Sequence, residues 1–267
     1  MGSAVTSPFG EPVPSIALDR PPLALVVAQV RFPVILSIDD GSATLAQFQD
    51  RIRDGYPDVK QTTELSLSLA GAQVGPQELI KGKVWHFSDP DTGWEVSVAN
   101  SFVALSTQRY THRDDFISRL GRLLDNTLNV LRPTMAQRVG VRYSARIDSE
   151  GQMANLPKLF RPEVTMATRL TGTEPIQHAV TDVLFNLADS TLQARWGLLP
   201  SGATLDPTIS PSPNATFVLD IDVASRIPSS FRPTDLLETA RSLGDQQYRF
   251  FRWAVTDDFL RAFGGKV

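Results

Sequence analysis

From Glu64 to Tyr110 the chain runs through four strand-forming segments in succession, "ELSLSLA", "KVWHFSD", "WEVSVAN" and "FVALSTQRY", with only turn residues between them. Each alternates apolar and polar side chains, the period of a half-buried strand. Strands joined by such short connections leave no room for a crossover helix and must pair antiparallel. Trp85 and Phe87 share one face of their strand, and Trp94, Val96 and Val98 share one face of the next. A cross-strand cluster of Trp85 and Trp94 is therefore expected. The stretch that follows is helical, with Phe116, Leu120, Leu123, Leu124, Leu128 and Leu131 on one stripe, and it stops before Pro133. "THRD" at its start fits a capping box, Thr111 as cap and Asp114 three residues on.

Around this block the pattern repeats. "LVVAQVRF" alternates, with Val26, Ala28, Val30 and Phe32 on one face and Val27, Gln29 and Arg31 on the other; "SATLAQFQDRIRDGYP" then reads as a helix over Leu45, Phe48 and Ile52, ended by Gly55 and Pro57. After Pro133 come a strand, "RVGVRYSARI", a short helical stretch near "NLPKLF", and three strands, "AVTDVLFNLA", "TLQARWGLL" and "ATFVLDIDVA". A long amphipathic helix from Pro233 carries Leu236, Leu237, Ala240, Leu243, Tyr248 and Phe251, and a last one, "TDDFLRAF", is capped by Thr256 and ended by Gly264. "QVRF" and "GVRY" lie 111 residues apart at Val30 and Val141, and "NSFVALS" and "NATFVLDI" lie 115 apart at Phe102 and Phe217. Shared spacing, local motif and element order imply an internal duplication. The expected fold is α+β: two related strand-helix-strands-helix units forming antiparallel sheet with the long helices on one face. A proline-rich N-terminal arm (1–22) would precede a first unit (23–133) and a second unit (134–267), joined in one body.

Composition narrows the function. With 267 residues, a formal charge of −3 and a pI near 5.6, the chain lacks the basic footprint of a nucleic-acid or anionic-membrane binder. It has no cysteine, which excludes disulfides, thiolate zinc sites and a cysteine nucleophile. No apolar run reaches the roughly 18 residues of a membrane span and no charged-then-apolar leader opens the chain, so a soluble, cytoplasmic protein is expected. "MGSAVT" matches a myristoylation pattern but reads better as the start of a flexible arm, and Asn214 in "NAT" is a glycosylation acceptor only in a secreted chain.

Local chemical motifs are weak. "DPDTG" looks superficially like a calcium loop, but Gly93 and Trp94 stand where an EF-hand needs an oxygen ligand and a glycine, so it reads as a reverse turn. "GPQELIKGKV" has a misplaced first glycine and no hydroxyl after Lys83, unlike a phosphate loop. His86, His112 and His178 form no metal-binding or catalytic pair, and neither the hydrolase elbow nor the dinucleotide fingerprint is present. No catalytic residue, metal or cofactor is expected. Strand alternation does place Gln29, Arg31, Glu95, Arg142, Ser144, Arg146, Arg195, Asp220 and Asp222 together on the face away from the helices. That face is either solvated and laced with ion pairs or a concave surface for an anionic partner. The candidate ligand- or partner-binding residues are Arg31, Arg142, Arg195, Asp220 and Asp222. Arg31 and Arg142, at matching places in "VRF" and "VRY", are expected to converge where the two units join.

The segments "PPLALVVAQVRFPVILSI", "VWHFSDPDTGWEVSVANSFVALSTQRYTHRDDFISRL", "QRVGVRYSARI", "FVLDIDV" and "FFRWAVTDDFLRAFG" resemble a sporadically distributed prokaryotic family to which no activity is assigned. The resemblance spans nearly the whole chain and transfers no functional residue. Family members often carry a histidine before the last helical segment, and "SLGDQQYRFF" has none here. The element order also resembles tandem TATA-binding-protein-like units, a likeness of topology that carries no function. The excess of arginine over lysine suggests a bacterial source. Together these readings imply a non-enzymatic binding or interaction module, accessory or antitoxin-like, with a protein or small anionic partner. The alternative is an enzyme or ligand sensor acting on a small anionic substrate through the strand arginines and aspartates.

Overall fold

The computed structural model describes residues 7–38, 43–66, 80–166 and 176–267. The first half holds β1 (Leu23–Arg31), α1 (Ala43–Ile52), β2 (Asp58–Ser66), β3 (Ile80–Asp89), β4 (Trp94–Ala99), β5 (Phe102–Thr107) and α2 (Arg113–Val130). The second opens with β6 (Met135–Ala136) and β7 (Arg138–Ile147), then three short helices, α3 (Glu150–Met153), α4 (Leu156–Leu159) and α5 (Pro162–Thr165). It continues with β8 (Ala179–Asn186), β9 (Ser190–Leu199), β10 (Thr216–Ser225), β11 (Ser229–Ser230), α6 (Pro233–Ala254) and α7 (Asp257–Ala262). Most of "ELSLSLA" and all of "MGSAVT" lie outside the described residues; the strand that overlaps the former begins earlier, at Asp58.

Nine strands form one sheet in the order β2-β3-β4-β5-β1-β7-β10-β9-β8, every neighbouring pair antiparallel, while β6 and β11 form a separate two-stranded ribbon. The fold is α+β, with α2 and α6 packed together over one face of the sheet. Alternation explains why. Val26, Ala28, Val30, Val96, Val98, Val103, Leu105, Val139, Val141, Leu192, Ala194, Phe217, Leu219 and Ile221 all point to that face and are buried there. Removing that apolar area from water is the main stabilising term.

Outward from the shared centre, the halves run β1-β5-β4-β3 and β7-β10-β9-β8, with β2 an added edge in the first. Val30 and Val141 both face the helices, but Phe102 and Phe217 do not correspond. Phe102 sits opposite Arg31 in a small second cluster on the far face, whereas Phe217 sits opposite Ile147 in the main core. Val30 is opposite Val103 and Val141 is opposite Val223, so these valines, not the phenylalanines, hold matching positions.

Three local expectations are also corrected. Trp85 pairs with Val98 and Trp94 with Asp89, at opposite ends of the hairpin, so the two indoles form no cluster. Trp94 packs instead on Phe116 at 5.7 Å, while Trp85 is half-buried. The cap of α2 is His112, whose Nδ1 accepts from the Asp115 amide at 3.2 Å, not Thr111. Leu128 is 37 % exposed, and Thr127 takes its place in the stripe because its hydroxyl bonds back to the Leu123 carbonyl. "DPDTG" is the turn expected: Asp89 accepts from Asp91 N and the Thr92 hydroxyl, and Gly93 takes φ +71°, a conformation costly for other residues.

Within the arm, residues 7–22 lie along α6 and α7. Ile16 N donates to the Tyr248 hydroxyl at 2.8 Å, Arg249 donates to the Gly10 carbonyl, and Phe9 meets Phe185 edge-on. Tyr248 and Phe251, expected on the sheet-facing stripe of α6, thus serve the arm and α7, and Gln247 and Phe250 occupy the stripe.

Candidate functional site on the open sheet face

On the face away from the helices, β7 presents Arg138, Arg142, Ser144 and Arg146, β9 presents Gln193 and Arg195, and β10 presents Asp220 and Asp222. Antiparallel register sets Asp220 opposite Arg195 and Asp222 opposite Arg142. Asp220 is 2 % exposed and accepts from both arginines: Arg142 Nε at 2.7 Å and Nη2 at 3.2 Å, Arg195 Nη2 at 2.6 Å and Nε at 3.1 Å. Four charge-assisted bonds converge on one carboxylate, one at Oδ1 and three at Oδ2.

Arg142 has a further partner, Asp206, on the connection between β9 and β10. Asp206 is set by its own turn, its Oδ1 accepting from Thr208 N and Oγ1. Residues 200–215 are held down over this part of the sheet by that ion pair, by Arg146 donating to the Ser210 carbonyl at 2.7 Å and by burial of Ile209. Gln108, beyond β5, adds a bond to the Thr208 carbonyl. The gap left between Ser144, Arg146, Ile209 and Thr216 is about 10 Å³, room for one water and no substrate.

Arg138 reaches diagonally over Gly140 to Asp222 at 3.2 Å, and a Cβ on Gly140 would lie 2.8 Å from its Nη1, so glycine keeps that path open. Burial works against the charge of Arg142, but Asp220 and Asp206 outweigh it and hold its pKa above the ordinary value. Burial likewise pushes the Asp206 carboxyl up, and its bonds to Thr208 and Arg142 bring it below the usual range. For Asp222 burial wins over Arg138 and Arg142, and the carboxyl titrates above its ordinary value.

Arg31 stands apart from this set. It lies opposite Arg138, whereas Arg142 lies opposite Val27, so the two arginines expected to converge are separated by four strand positions, roughly 13 Å. Arg31 donates to Gln29 Oε1 at 3.0 Å and lies over the Phe102 ring at 5.8 Å. Of the five candidate residues, the fold thus brings together Arg142, Arg195 and Asp220, pairs Asp222 separately with Arg138 beside them, and leaves Arg31 outside. Sequence reading missed Asp206 because it lies on an irregular connection, and passed over Arg138 although the alternation of "RVGVRYSARI" sets it on the same face as Arg142.

Farther along the same face, Thr62 Oγ1 lies 2.8 Å from His86 Nε2, and His86 Nδ1 lies 2.9 Å from Glu95 Oε1 and 3.1 Å from Ser97 Oγ. Hydroxyl, imidazole and carboxylate stand in the order used by nucleophilic hydrolases. The His86 bond, ahead of partial burial, holds the Glu95 carboxyl below its usual range. His112 is occupied as a helix cap, and His178 is exposed before β8.

Among the described residues no three acidic or histidine side chains converge as metal ligands, and no helix is long and apolar enough to cross a membrane. Comparison with the profiles of known protein families, with curated proteins and with solved structures returned no match.

Proposed function

We propose that the chain is a non-catalytic binding module, an accessory or antitoxin-like partner of another bacterial protein, that engages a carboxylate-bearing surface with its open sheet face. One observation carries the reading: both Asp220 oxygens are taken by two arginines, so the carboxylate is neither a free base nor a nucleophile. The network then acts as a rigid floor. Arg31, bonded to an amide and stacked near Phe102, is the cation positioned to meet a partner's carboxylate. The matching strand order of the two halves supports reading them as a duplicated unit of the family resembled above.

The test is co-purification from the native host with wild type, Arg31→Glu and the exposed helix-side control Arg241→Glu. A partner lost only with Arg31→Glu supports the reading; one retained by Arg31→Glu places recognition elsewhere. A second reading, hydrolysis through Thr62, His86 and Glu95, rests on their hydrogen-bonded order. Turnover of an activated ester that is abolished by His86→Gln would establish it, and equal turnover by wild type and variant would remove it.

A further inference from the structure

On the helix side of the first half, a cleft of about 160 Å³ opens between the end of α1 and the middle of α2. Its floor is apolar: Ile52, Val96 and Leu123 are all buried core residues. Its rim is cationic. Arg51 comes from the last turn of α1, and Arg119 and Arg122 from successive positions facing it on α2. Arg119 is fixed on two sides, its Nε bonded to Asp115 at 3.1 Å and its guanidinium stacked 4.6 Å from the centre of the Trp94 ring. Arg122 contacts only a neutral hydroxyl, Ser118 Oγ at 3.1 Å, among the described residues.

Between rim and floor stands Tyr56, which lines the cleft and carries a phenolic hydrogen that can be donated to an anion. The charges acting on that phenol are those of Arg119, Arg122 and Asp115, two cations against one anion. Burial raises the Tyr56 pKa, so the group stays a donor at neutral pH.

A dry floor beneath a pair of guanidinium forks suits a ligand with a planar anionic head and an apolar body. A cavity of this size takes about one benzene-sized group. We propose that the cleft between α1 and α2 binds a small organic carboxylate whose apolar part is about one ring in size. The carboxylate is held by Arg51, Arg122 and the Tyr56 hydroxyl, and the apolar group rests on Ile52, Val96 and Leu123. This site is separate from the sheet face and stands or falls without it.

The test is calorimetric titration of the full chain, with tryptophan emission as a second readout because Trp94 stacks on Arg119. Benzoate and phenylacetate are the probes; benzamide is the uncharged control and inorganic phosphate the anion without an apolar body. Saturable binding of at least one carboxylate is expected, with benzamide and phosphate weaker by about tenfold or more. Arg51→Gln combined with Arg122→Gln should weaken the carboxylate by about tenfold, and Arg122→Glu alone by more, without changing the melting temperature, since both arginines are exposed. Failure of both carboxylates to saturate in the millimolar range, equal binding of benzamide or phosphate, or wild-type affinity in these variants would overturn the proposal.

Discussion

The two halves of the sheet follow the same strand order yet treat their polar faces differently. Between β4 and β5 the connection is Asn100 and Ser101, a tight turn whose carbonyls accept from Ile35 and Phe32. Between the corresponding strands β9 and β10 it is residues 200–215, which fold back across the open face and deliver Asp206 to Arg142. The first half is left with a self-contained cluster, His86 with Glu95, Ser97 and Thr62, and with Arg31 near the edge of the network. The second half has a near-buried carboxylate clasped by two arginines and covered by a loop. What differs is one connection, and it decides whether a polar strand face is a surface or an interior.

The largest effect that tests this contrast is Asp220→Ala. Removing a carboxylate 2 % exposed takes the carboxylate from Arg195 and leaves Arg142 with Asp206 alone, and a loss of about 3 kcal/mol in urea unfolding is expected. Glu95→Ala, at a side chain 39 % exposed, should cost less than about 1 kcal/mol. Equal costs would erase the distinction between the halves.

Asp206→Ala comes next, at about 1–2 kcal/mol, because it removes one of the two carboxylates on Arg142 and the turn contacts to Thr208. Its sharper signature is local. Amide exchange should accelerate in residues 200–215 while β3, β4 and β5 keep their protection. Uniform loss across the sheet would mean the connection is not a separate clasp.

Titration separates Glu95 from Asp222 by sign. Glu95 has a depressed folded-state pKa, so it contributes stability above the unfolded carboxylate range and loses it as pH falls through the folded value. Asp222 has a raised one, so the fold loses stability as pH rises from the unfolded range through the folded value. Melting temperatures from about pH 3 to about pH 7 should therefore show Glu95→Gln shrinking the gain with pH and Asp222→Asn enlarging it. Both side chains are about a third exposed, so the shifts are small, and parallel responses of the two variants would refute the assignment.

The smallest effect is expected at Arg31→Ala, within about 0.5 kcal/mol, since it is exposed and its partners are an amide and a ring 5.8 Å away. A larger loss in urea unfolding would make Arg31 part of the structural network after all.

Much of the fold was legible because periodicity is a local property. Val26, Ala28 and Val30 alternate with Val27, Gln29 and Arg31 whatever surrounds them, and the helical stripe from Phe116 to Leu124 needs only its own spacing. The polar-face set was legible for the same reason: Arg142, Arg195, Asp220 and Asp222 do share the face away from the helices. Errors arose wherever register entered. Pairing Phe102 with Phe217 puts one phenylalanine on each side of the sheet, since an odd slip exchanges the faces. Trp85 and Trp94 were brought together by face alone, and their hairpin register holds them at opposite ends.

By itself, then, the chain determined which side of each strand is apolar, that α2 stops before Pro133 and α6 starts at Pro233, and that the sheet is antiparallel with its helices on one side. These follow from side-chain spacing and short connections, which act within a few residues. Only the tertiary structure decided which charges meet. Arg142 could have taken Asp222, directly opposite, and takes Asp220 and Asp206 instead, while Asp222 goes to Arg138 over Gly140. Partner choice among buried charges is set by desolvation and geometry summed over several strands and one long connection, and no local pattern encodes that sum.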